Sequence, residues 1–62
     1  MTQQELLLLD TLKGCQKRIN KLNKKNSLDL TFSEWEMLVE DRNFIEIYGI
    51  NSGFLRKHNI KL

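Results

Sequence analysis

Five apolar side chains, Leu8, Leu12, Cys15, Ile19 and Leu22, recur at spacings of four, three, four and three, the period of one side of an α-helix. Ahead of them, Thr2 and Glu5 have the spacing of a capping box, in which each side chain satisfies the other's backbone N–H at a helix start. The pattern predicts an amphipathic helix of about twenty residues starting at Gln3. Its back carries Lys13, Lys17, Lys21 and Lys24, with Arg18 and Lys25 at the edge. Leu6, Leu7 and Leu9 fall off the stripe and make the first turns apolar nearly all round. Either a second contact, such as one with another copy or another protein, covers them, or the C-terminal segment folds back over them.

With 62 residues there is room for one domain, residues 1–62, and for a thin core. Cys15 is the only cysteine, so a disulfide framework is excluded, and no Cys/His cluster has zinc-binding spacing. Dense helix packing or association remains as a source of stability, and a homodimer or a partner-bound protein is expected. The leucine run Leu6–Leu9 is far shorter than the roughly 20 apolar residues of a membrane span and lacks a basic leader. With the lone thiol, this reads as a cytoplasmic protein with no membrane association.

The middle of the chain holds a second helix start. Ser33 and Glu36 have capping-box spacing, and Phe32 and Met37 then fall where a hydrophobic staple closes. This predicts a short helix from Glu34 with Trp35, Leu38 and Val39 on its buried side, ended by Asn43; the alternative for Trp35 is an exposed aromatic beside Glu34 and Asp41, a hot spot for a basic protein partner. Phe44 to Ile50 is rich in β-branched and aromatic residues and reads as a strand, followed by a turn at Asn51-Ser52-Gly53. Phe54 to Leu62 fits either a returning strand or a helix, with the strand slightly preferred. Leu28-Asp29-Leu30 fits a short strand or a single helical turn. The expected fold is α+β: a long N-terminal helix, a short capped second helix and a C-terminal β-hairpin, with an all-α three-helix arrangement as the alternative.

Charge is distributed unevenly. Residues 1–30 hold six basic and three acidic side chains, residues 31–52 one and five, and residues 53–62 three and none. Two basic ends flank an acidic middle. There is no Gly-rich phosphate loop, no Ser/His/Asp set and no metal-spaced ligand group, so neither catalysis nor a cofactor is expected. His58 reads as a surface or packing histidine, and Cys15 as a small buried hydrophobe.

A basic first helix, a capped second one ending in Leu38, Glu40-Asp41-Arg42-Asn43 and Phe44-Ile45, and then Tyr48-Gly49-Ile50 with a turn, resembles the winged helix-turn-helix family over about residues 5–55. Many short phage and mobile-element regulators look like this. The resemblance implies a winged-helix-like domain, nucleic-acid binding and transcription regulation. Only residues 23–30 are available for the family's intermediate helix. The presumed recognition helix carries Glu34, Glu36, Glu40 and Asp41, which phosphates would repel, so no base-reading role is carried onto it. Contacts would come from Lys13, Lys17, Lys21, Lys24 and Lys25, and from Arg56, Lys57 and Lys61 on the wing or tail, gripping phosphates. A lower-ranked alignment makes Ile45–Leu55 the turn and the start of a recognition helix in a helix-turn-helix, with Arg56, Lys57 and His58 facing DNA. The alternative function is a modulator or inhibitor of another protein, using Leu6, Leu7, Leu9, Glu36 and Glu40 as its partner-binding surface.

Overall fold

Thr2 opens the first helix as its spacing from Glu5 predicts. The Glu5 N–H donates to Thr2 Oγ1 at 3.2 Å, and the Thr2 N–H donates to Glu5 Oε1 at 3.0 Å. The computed structural model describes residues 1–62, and from this cap helix α1 runs over Gln3–Asn23. Leu12, Cys15, Ile19 and Leu22 are its buried residues, with Leu8 partly buried above them. The predicted stripe is the face on which the rest of the molecule packs.

A 3-10 turn at Ser27–Asp29, capped by the Asn26 side chain, reverses the chain into helix α2, Phe32–Phe44. The cap of α2 is Thr31 with Glu34, two residues earlier than the predicted pair of Ser33 and Glu36. The Glu34 N–H and Thr31 Oγ1 are 3.1 Å apart, as are the Thr31 N–H and Glu34 Oε1. Both pairs carry the same signature, but Glu34 is also anchored by Lys25 Nζ at 2.7 Å. Ser33 therefore lies inside the first turn, and Phe32 is not a staple residue but stands exposed.

The predicted strand does not form. No strand is present, and the chain is the all-α alternative rather than the α+β, winged-helix-like fold with a C-terminal β-hairpin. Asn43 does not end the helix: α2 passes into a π-helical segment, Ile45–Asn51, whose wide turns include a bond from the Ser52 N–H to the Ile47 carbonyl at 3.2 Å. The physical reason is packing against α1. Leu38, Asp41, Ile45 and Gly49 are the buried residues of this continuous rod, and their spacings of three, four and four keep all four on one helical face toward α1 without a break at Asn43. Local β-propensity yields to that contact. At Gly49 the space is close: a Cβ there would meet Leu55 Cδ1 at 3.1 Å and Leu12 Cδ2 at 3.4 Å.

Gly53, at φ 78°, takes the left-handed conformation that stops the rod. The last nine residues are not a returning strand. Helix α3, Phe54–Lys57, is one turn long, and Phe54 inserts into the core. Asn59, at φ 54°, closes α3: the Asn59 N–H donates to the Arg56 carbonyl at 3.1 Å and the Ile60 N–H to the Leu55 carbonyl at 2.8 Å. That pair of bonds is a Schellman motif, with Asn in the usual glycine position. The molecule is a helical hairpin with a short third helix folded across one end, measuring 40 × 18 × 17 Å. No helix is long and apolar enough to cross a membrane.

Candidate functional site

The two long helices are joined by a polar clasp. Arg18 on α1 donates from Nε to Asp41 Oδ2 at 2.8 Å and from Nη2 to Asp41 Oδ1 at 3.0 Å, a bidentate pair. The Asp41 side chain is 10% exposed and that of Arg18 49%, so the carboxylate is sheltered while the guanidinium still meets water. Arg18 Nη2 also approaches Cys15 Sγ at 3.5 Å. The guanidinium holds the Asp41 carboxyl below its ordinary range. Burial, reinforced by that carboxylate, pushes the Cys15 thiol up, so the thiol stays protonated and is a poor nucleophile.

A second link ties the chain ends together: His58 Nε2 lies 2.6 Å from Glu5 Oε2, and the His58 ring meets Phe54 edge-on at 4.9 Å between centroids. The Thr2 backbone N–H, with His58 adding to it, lowers the Glu5 carboxyl from 4.5 to about 2. Lys25, then the Thr31 backbone, lowers that of Glu34. These three carboxyls ionise more readily in the folded chain than in the unfolded one, where their values are about 4. Their stabilising contribution is present above that value and is lost as pH falls through the folded values. Thermal melts followed by circular dichroism are expected to show the midpoint falling steadily between about pH 4.5 and about pH 2. Asp41→Asn flattens that slope.

Lys13, Lys17, Lys21 and Lys24 stand exposed along α1, as the sequence pattern places them. Lys61, in the tail beyond α3, lies across a shallow groove from Lys13 and Lys17. Lys25 is withdrawn from this set by its ion pair with Glu34. Arg56 and Lys57 sit on α3 rather than on a wing, because there is no wing. Leu6 and Leu7 are exposed, whereas Leu9 packs partly against the core. Glu36 and Glu40 are exposed on α2.

Trp35 corrects the expected arrangement of faces. It is 53% exposed instead of buried, and Phe32 at 74% and Val39 are also exposed. The three lie at i, i+3 and i+7, a single stripe on the side of α2 away from Leu38, Asp41 and Ile45. Leu28 in the preceding turn and Ile47, Tyr48 and Ile50 in the π-helical segment add further exposed apolar surface. Sequence reasoning offered the exposed Trp35 only as its lesser alternative and missed the rest of the stripe, because it assigned apolar residues of α2 to the core and could not know that a carboxylate, Asp41, occupies a core position. No family model, curated protein or solved structure matches the chain.

Proposed function

We propose that the chain is a non-catalytic protein-binding module whose docking face is the outer stripe of α2. The observation that carries this reading is the half-exposed Trp35 in line with Phe32 and Val39. Exposed apolar surface rimmed by polar groups marks a binding site more often than a neutral surface, and Trp is among the side chains enriched where a few residues dominate a binding interface. Glu36 and Glu40 border the stripe, and neither takes part in an ion pair. The fitting partner has an apolar patch flanked by Lys or Arg. A second copy docking antiparallel through the same face would set these carboxylates against their own equivalents, so a different, basic protein fits better.

Trp35→Ala is expected to leave the chain folded at a cost of about 1–2 kcal/mol, for the half of the indole that is covered. The same change weakens capture of a discrete basic partner by at least about tenfold in quantitative affinity capture. Glu36→Lys weakens it as well. Retention of the same partners by both variants would remove the proposal, as would sedimentation showing that the face is filled by a second copy.

A further inference from the structure

The opposite side of the molecule carries a feature that protein docking on α2 does not use. Lys13, Lys17 and Lys21 follow one another along the exposed back of α1, and Lys24, also exposed, caps its C-terminal end. Lys13 to Lys24 covers about 16 Å of helix axis at 1.5 Å per residue. The tail brings Lys61 to the same place, forming with Lys13 and Lys17 a groove of about 260 Å³ whose lining also includes Gln16 and Asn20. No acidic side chain lines it, and none of the five lysines is in an ion pair. By contrast Arg18 and Lys25, at the edge of the same helix, are both held by carboxylates. Gln16 Nε2 donates to Asn20 Oδ1 at 2.9 Å, which occupies the Asn20 acceptor and leaves its amide hydrogens as donors. The groove therefore combines ammonium groups with an amide donor, a combination suited to phosphate oxygens.

We infer that this lysine track, completed by Lys61, is a site for the phosphodiester backbone of duplex nucleic acid, held without reading base sequence. Several lysines in a row fit a repeating anion better than a single one. A duplex is favoured over a single strand because single-strand sites use aromatic platforms for the bases, and no aromatic side chain lines the groove; the exposed aromatics Phe32, Trp35 and Tyr48 belong to the rod of α2 and its π-helical continuation. Sequence reading is not built in, since ammonium groups on a helix back contact phosphates and carry no base information. Asp10, one turn before Lys13, closes the track at its N-terminal end with an opposing charge.

The test is fluorescence anisotropy of the full chain with a labelled duplex of about 20 base pairs, titrated between about 50 and about 200 mM NaCl. Neutralising four or five phosphates predicts that log K falls against log salt with a slope of about −4. The double variant Lys17→Glu/Lys61→Glu is expected to lose at least about tenfold in affinity and about two from that slope. Lys17→Ala/Lys61→Ala, which introduces no new charge, should follow it to a smaller extent. Trp35→Ala leaves duplex binding unchanged, which separates this site from the α2 face. No binding at about 50 mM salt, tighter binding of the single strand of equal length, tighter binding of inorganic polyphosphate at equal phosphate, a preference among duplex sequences above about tenfold, or undiminished binding by both double variants would each overturn the proposal.

Discussion

Leu12→Ala is expected to destabilise the chain by about 2–5 kcal/mol, the range for truncating a fully buried leucine. Leu12 is the one large side chain with no exposed surface, and it packs beneath Gly49 of the π-helical segment, where a Cβ would meet its Cδ2 at 3.4 Å. A domain of this size has a total stability of only about 3–9 kcal/mol at the usual value per residue. At the middle of both ranges the urea midpoint should fall by about half. Leu12→Met, which keeps the volume, should cost less than about 1.5 kcal/mol. A loss below about 1 kcal/mol for Leu12→Ala would mean that the helices are not packed around this residue.

The Arg18–Asp41 clasp is expected to respond asymmetrically. Asp41→Ala removes two charge-assisted hydrogen bonds but leaves a guanidinium that is already half in water and can rehydrate, at a cost of about 1–2 kcal/mol. Arg18→Ala leaves the sheltered Asp41 carboxylate without its partner, and the cost rises toward about 3 kcal/mol. The pH dependence distinguishes the two variants. With the guanidinium gone, burial raises the Asp41 carboxyl above its unfolded value instead of lowering it. The variant's penalty is then greatest at neutral pH and is relieved as pH falls through the raised value. Urea melts at pH 7 and pH 4.5 should show the gap between Arg18→Ala and wild type narrowing on acidification. A constant gap would show that Asp41 is solvated without Arg18.

How much of this was legible in the sequence varies by element. The first helix was legible because its signals are local: Thr2 and Glu5 bond each other, and the stripe from Leu8 to Leu22 is periodic over four turns. The second helix start was legible in kind but not in frame, since Thr31/Glu34 and Ser33/Glu36 carry the same signature and the choice rests on Lys25, nine residues from Glu34. The segment from Phe44 to Ile50 was misread because its composition favours a pleated strand, while its conformation is set by contact with α1. Asp41 and His58 were illegible for a related reason: their partners Arg18 and Glu5 lie 23 and 53 residues away. The lysine track was visible as a helical face, but the arrival of Lys61 beside it required the Schellman closure at Asn59.

The loose winding of Ile45–Asn51 uses more residues per turn than the helix it continues. A chain shortened by one residue within it relaxes into ordinary α-helix, and six residues at about 100° each turn through nearly the angle that seven cover at the wider winding. Phe54 would then still face its slot and His58 would keep its direction toward Glu5. Loss of one codon there, an event that surface loops absorb readily, would here be taken up by the winding of the helix itself.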